Sequence, residues 1–175
     1  MSYLERQAGQ KIHQGVIGFR ENFTYVTVDN VIANRHVDFN NDLILILDSI
    51  TDPQNLGSLI RTAHCCGANG VVIPENRSAA VTAAVMKVSA GAVCHTPVAM
   101  VVNLANTIQY LKEKGFWIYG TDPASGNKVN TLDYKGHIGL VMGSEGRGMR
   151  PLIKKKCDFL ISVPIVGKID SLNVS

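Results

Sequence analysis

Aromatic residues are scarce in this 175-residue chain, at 6% with one tryptophan, while 46% of the residues are hydrophobic. An aromatic-rich sandwich fits that balance poorly. Val, Ile, Leu and Ala supply most of the apolar content, which suits parallel strands covered by helices and is ample for one core. Neither sign of charge dominates: 17 basic residues against 14 acidic give a net +3. That field is too mild to mark a nucleic-acid binder by itself, so local clustering has to carry any such argument. Cysteine occurs four times, at Cys65, Cys66, Cys94 and Cys157, without a CxxC pair and without a histidine at metal-ligand spacing. This removes the usual zinc and dithiol motifs. Adjacent Cys65 and Cys66 lie in a helical pattern and read as small buried apolar side chains. No run approaches the roughly 20 apolar residues of a membrane span, and Met1 to Gln14 lacks the apolar centre of a signal peptide. A reduced, soluble, cytoplasmic protein is expected.

What is present is regular alternation. Residues 1–41 are irregular, with a polar start, a short β-like piece from Phe23 to Val28 and the punctuation Asn40, Asn41, Asp42; they read as a linker or an edge element. From Leu43 an apolar run to Leu47 predicts a buried strand. A Thr51-Asp52-Pro53 turn then leads to a helix with Leu56, Leu59, Ile60 and Ala63 on one face, stopped by Gly67. Val71–Ile73, Val98–Val102, Phe116–Tyr119, Ile138–Met142 and Phe159–Val163 read as further strands, and Ala79–Ala90 and Leu104–Lys114 as helices. Such spacing implies an α/β fold, a mostly parallel sheet with helices on both faces. Ligands of open parallel sheets bind beyond the carboxyl ends of the strands, so the loops after Leu47, Tyr119, Met142 and Val163 are the ones to inspect.

Three of those loops carry unusual sequence. Asp48 to Arg61 passes from a strand end through a proline turn to Asn55 and Gly57 at a helix start, with Arg61 one turn beyond. A guanidinium there can grip a phosphate or carboxylate in bidentate fashion; equally, Asn55 can be a plain N-cap and Arg61 a surface ion-pair partner. Val141 to Met149 runs a strand into Gly143, Gly146 and Gly148, a loop able to bring backbone close to a ligand. It is neither a Walker loop nor a GxGxxG fingerprint, and the lack of a Lys-Ser/Thr ending argues against an ATPase. Glu145 in that loop is suited to ribose hydroxyls, to holding Arg61, or to service as a helix N-terminal acid. Five basic residues without an acid follow between Arg147 and Lys156, including Arg150, Lys154 and Lys155. They form either a phosphate-contacting edge or a solvated helix face. The last segment, Ser162 to Ser175, says little alone.

Taken in order, Asp-Pro-x-Asn-x-Gly-x-x-x-Arg, Met-Gly-Ser-Glu-Gly-x-Gly and Pro-x-x-Gly-x-x-x-Ser-Leu-Asn-Val-Ser resemble the three motifs of the SpoU (TrmH-like) RNA ribose 2′-O-methyltransferases. The resemblance covers about residues 43 to 175. His13-Gln-Gly-Val-Ile17 is similar to the approach to the catalytic domain in bacterial members that methylate a guanosine of large-subunit (23S) ribosomal RNA. The resemblance implies a SPOUT-type sheet with a C-terminal trefoil knot, a homodimer, RNA as substrate (ribosomal, with transfer RNA as the alternative) and S-adenosylmethionine as cofactor, without a metal. It implies that Gly143, Val163 and Leu172 hold the adenosine part largely through backbone groups, with Thr121 nearby, and that Asn55, Arg61, Glu145, Ser171 and Asn173 form the catalytic set. It leaves Arg147, Arg150, Lys154 and Lys155 as candidate RNA contacts.

In this family the motif arginine has been cast as the base. A guanidinium, which keeps its proton throughout the ordinary pH range, suits a phosphate clamp and alkoxide stabiliser better. The same resemblance divides the chain into residues 1–41, a linker or remnant leading from an absent N-terminal RNA-binding domain, and residues 42–175, a catalytic domain cut short before its final helix. Two other classes compete. A non-catalytic RNA-binding module would keep the fold, but Asn55, Arg61 and Glu145 are retained; a doubly wound oxidoreductase would need the GxGxxG that the first βα turn lacks.

Overall fold

The computed structural model of the chain describes residue 6 and residues 22–35, 41–165, 167 and 173–174. The alternation becomes β1 (Leu43–Asp48), α2 (Pro53–Cys65), β2 (Gly70–Pro74), α3 (Ala83–Val88), β3 (Val98–Val101), α4 (Leu104–Glu113), β4 (Phe116–Thr121), β5 (His137–Gly143), α5 (Pro151–Lys156) and β6 (Phe159–Ile161), preceded by α1 (Val28–Ala33). The six strands form one sheet in the order β3-β2-β1-β5-β4-β6, and every pairing is parallel. Central β1 is apolar at every position up to Asp48 because it is covered on both sides. Its even positions Ile44 and Ile46 pack with Ile108 and Leu111 of α4 and Ile153 of α5. Its odd positions Leu45 and Leu47 pack with Leu56, Leu59 and Ile60 of α2 and Val85 of α3.

Helix α2 starts where the sequence says it should: Asp52 is the N-cap, accepting from the Gln54 N–H at 2.9 Å, and Pro53 occupies the first turn. Asn55 therefore is not the cap, and its side chain is free for other work. Gly57 has a packing reason that the sequence does not show. A Cβ there would sit 2.9 Å from the Val85 carbonyl oxygen and from Val88 Cβ, so the missing side chain is what lets α2 and α3 approach.

Three expectations need correction. The helix expected over Ala79–Ala90 is only α3, because the backbone donors before it are committed elsewhere: Ala79 N–H to Ile50 O at 2.8 Å and Val81 N–H to the Tyr25 hydroxyl at 2.8 Å. The β-like piece from Phe23 to Val28 forms a single bridge, Val26 to Ala99, then turns into α1, nucleated by a Thr27/Asn30 capping box and anchored by fully buried Val31. Cys65 and Cys66, expected inside, are exposed, since they end α2 beyond its apolar stripe. The trefoil knot and the segment His13–Ile17 fall on or among residues outside those described. Among the described residues, no helix is long and apolar enough to cross a membrane.

Candidate functional site

Neighbouring strands β1 and β5 connect onward in opposite directions across the sheet, and a crevice opens beside them, between the segments that follow β4, β5 and β6. The crevice has a volume of about 480 Å³. Its floor is the loop from Gly143 to Met149; one wall is Thr121 to Pro123 after β4, and the other is Ile161 to Val163 with Ile165, Asn173 and Val174.

The glycine loop is a tight return. Gly148 N–H donates to Ser144 O at 2.8 Å, and Gly148 adopts a left-handed φ of 63°. A Cβ on Gly143 would lie 2.2 Å from backbone atoms of Gly148 and Met149, so the loop folds directly over the end of β5 and only glycine fits. The loop is bolted to the sheet at its far end. Asp48, fully buried and register partner of Gly143, accepts from Arg150 N–H at 2.7 Å and from Arg150 Nε at 2.6 Å. Asp48 stands four residues before the first motif, at the end of β1, and nothing local in the sequence shows that its partner lies 102 positions away.

Glu145 is where the motifs meet. Its Oε1 accepts from Asn55 Nδ2 at 3.2 Å and from Val174 N–H at 3.3 Å, joining the start of α2, the glycine loop and the C-terminal segment. The third-turn residue Arg61 is exposed and is not a partner of Glu145. Of the residues expected to hold a nucleoside, Thr121, Gly143 and Val163 line the crevice, and Asn173 lines it too; Ser171 and Leu172 lie outside the described residues. The basic run divides. Arg147 and Lys155 are exposed, whereas Arg150 is drawn onto Asp48 and Lys154 reaches Asp122 in the crevice wall.

That last ion pair was not foreseen. Asp122 follows β4 directly, its N–H bonded to Ile161 O at 2.8 Å and its Oδ1 to Ala124 N–H at 3.2 Å. The Lys154 ammonium hydrogen-bonded to it holds its carboxyl below the usual carboxylate range, against the opposing effect of burial. Burial, with the Asp133 and Asp158 carboxylates adding to it, raises the Tyr119 hydroxyl. Burial likewise pushes the Cys157 thiol up to about 11. Among the described residues, no group of three or more His, Cys, Asp or Glu side chains is placed to hold a metal.

The wall combines apolar Met142, Ile161, Val163 and Ile165 with a glycine backbone, a hydroxyl from Thr121, and charged groups confined to Asp122, Glu145, Arg147 and Lys154. Apolar faces with a few placed polar groups are the usual make-up of a small-molecule site.

Comparison with known proteins converges on the same segment. Residues 42–175 match the SpoU rRNA Methylase family. A protein of Staphylococcus saprophyticus named as a TrmH family tRNA/rRNA methyltransferase is 45% identical over 163 residues, covering 93% of this chain and 66% of that protein. The YacO protein of Bacillus subtilis, named for the same family, is 44% identical over the same length and share. The chain thus spans just under two thirds of these relatives. Among solved structures, an AdoMet-bound rRNA methyltransferase from Sinorhizobium meliloti superposes with a TM-score of 0.75 at 26% identity, covering 86% of this chain and 56% of that one. The SpoU methyltransferase AviRb from Streptomyces viridochromogenes, in complex with AdoMet, gives 0.73 at 25% identity, with 82% and 56% covered.

Proposed function

We propose, from the premise that this chain belongs to the SpoU rRNA Methylase family, that it methylates a ribose 2′-hydroxyl in structured RNA with S-adenosylmethionine as donor, at a guanosine of large-subunit ribosomal RNA. The observation that carries this reading is the junction at Glu145, where one carboxylate draws Asn55 and the backbone of Val174 together at the edge of the nucleoside-sized crevice. The same reading carries a C-terminal trefoil knot, a homodimer and a cytoplasmic location.

The residues divide the work. Backbone groups of Gly143, Val163 and Leu172, with Thr121 beside them, would hold the adenosine part. When bound, S-adenosylmethionine supplies an electrophilic methyl carbon on a sulfonium. Transfer to a hydroxyl requires the oxygen to be aligned and its developing negative charge stabilised. Arg61 is exposed and uncommitted among the described residues, and in this reading it clamps the target's phosphate and stabilises the developing alkoxide. Asn55 and Glu145, with Ser171 and Asn173, orient the ribose. Arg147, at the crevice lining, and Lys155 contribute phosphate contacts.

The test is calorimetric titration with S-adenosylmethionine, using nicotinamide and adenine nucleotides as controls, followed by methyl transfer to ribosomal RNA and to transfer RNA with detection of alkali-resistant 2′-O-methylated dinucleotides. Selective binding and labelling of the large-subunit RNA are expected. A nicotinamide preference overturns the methyltransferase reading; labelling of transfer RNA alone moves the substrate to the other class that the relatives' names contain.

A further inference from the structure

The wall of the crevice contains an ion pair that a nucleoside does not need. Asp122 at the end of β4 and Lys154 on α5 both line the crevice and are bonded to each other, with side chains 14% and 41% exposed. An ion pair set beside the apolar wall of Ile161, Val163 and Ile165 loses hydration, and such a pair contributes little to stability unless its remaining hydrogen-bonding capacity is used. That capacity is substantial. A carboxylate offers about four lone-pair sites and an ammonium three donors; Asp122 accepts from Ala124 N–H and Lys154, and among the described residues Lys154 has Asp122 alone as its ion-pair partner. The other charged groups of the crevice are placed differently: Glu145 is occupied by Asn55 and Val174, and Arg147 is exposed.

We propose that Asp122 and Lys154 form a zwitterion subsite that receives the amino-acid end of the S-adenosyl ligand, Asp122 accepting from its α-ammonium and Lys154 pairing with its α-carboxylate. This rests on the cofactor reading given above and adds to it the residues that recognise the non-nucleoside end. A pair of opposite charges has no net attraction for a phosphate, so an RNA phosphate is a poor occupant. A group carrying both charges on one carbon complements it at both ends. Lys154 then belongs to the cofactor rather than to the RNA-contacting edge.

The experiment separates the two ends of the ligand. S-adenosylhomocysteine carries the amino-acid end, and 5′-methylthioadenosine has the same nucleoside and thioether without it; both are titrated calorimetrically into the 175-residue protein, Asp122→Asn, Lys154→Gln and the charge-swapped double variant Asp122→Lys/Lys154→Asp. The native protein should bind S-adenosylhomocysteine more tightly than methylthioadenosine. Each single variant should lose about tenfold or more in S-adenosylhomocysteine affinity while methylthioadenosine affinity stays within about twofold, a differential that a misfolded variant cannot show. The swapped variant keeps an ion pair in place with reversed polarity and should also lose the preference. If it or either single variant binds S-adenosylhomocysteine as the native protein does, or if both ligands weaken in parallel, the pair is a structural clamp and the proposal is overturned. If the native protein binds neither ligand, the cofactor reading fails first, and the subsite with it.

Discussion

At the scale of single residues, the site is held by a few polar groups that each join distant parts of the chain. Asp48 is the most deeply placed, a carboxylate with no exposure whose charge is balanced by Arg150. Removing one partner of a buried pair strands the other, and with Arg150 about one third exposed the cost is reduced by solvent. Asp48→Ala should therefore lower the unfolding free energy by about 2 to 3 kcal/mol in urea titration, and the glycine loop should lose its anchor at the same time. Arg61 is the opposite case, exposed and, among the described residues, uncommitted. Arg61→Lys should leave stability and S-adenosylmethionine affinity nearly unchanged and reduce turnover on RNA about 100-fold, because an ammonium cannot reproduce a bidentate clamp; near-native turnover would sink the clamp idea. The four thiols should separate by environment. A thiol whose folded pKa is raised to about 11 holds its proton at pH 8, and the thiolate is the reacting species. Cys65, Cys66 and Cys94 are exposed, so a disulfide reagent at pH 8 should titrate three thiols quickly in the native protein and the fourth, Cys157, only on unfolding. Much of the site is written in local sequence: Asn55, Gly143 and Glu145 stand out by spacing. The Asp48–Arg150 and Asp122–Lys154 pairs do not, since each is closed by tertiary proximity between segments that show no shared pattern.

At the scale of elements, strands and long helices follow from periodicity, and the exceptions follow from backbone donors drawn into tertiary bonds. β1 to β6, of three to seven residues, were legible because short, mostly apolar runs bounded by Asp, Gly and Pro leave few alternatives. Of the six-residue helices α1, α3 and α5, α1 was not foreseen, and α3 is the core of the longer helix expected over Ala79–Ala90. α1 depends on a capping box in a polar stretch, and α3 is shortened from its N-terminal side by the bonds of Ala79 and Val81. Gly57 shows how a motif residue can serve packing. Alanine is intrinsically the better helix former by about 1 kcal/mol. Here its Cβ would press on a backbone carbonyl and a β-branched side chain at 2.9 Å, neither of which can yield easily. Overpacking of that kind costs about 1 to 3 kcal/mol. Gly57→Ala should thus destabilise on balance, by about 1 kcal/mol, with a lower thermal midpoint in calorimetry; a raised midpoint would show that α2 and α3 can separate without loss.

At the scale of the whole molecule, the chain is only weakly basic, at +3, so affinity for RNA has to come from where the charge lies. The basic run starts on the loop at the carboxyl ends of β1 and β5, the same side as the crevice, and two of its members, Arg147 and Lys155, are exposed. Arg150 and Lys154 are neutralised by Asp48 and Asp122 and should contribute little. Lys114 lies just before β4, at the amino end of the sheet, with its ammonium over the Tyr110 ring at 5.2 Å. Each phosphate neutralised by a cation adds roughly 0.7 to 0.9 to the slope of log affinity against log salt. Arg147→Gln with Lys155→Gln should therefore flatten the salt dependence of RNA binding by about 1.5, with thermal stability unchanged, while Lys114→Gln leaves the slope as it was. Equal flattening by Lys114→Gln would mean that RNA spreads over both ends of the sheet, and the carboxyl-end crevice would no longer explain how a ribose is selected.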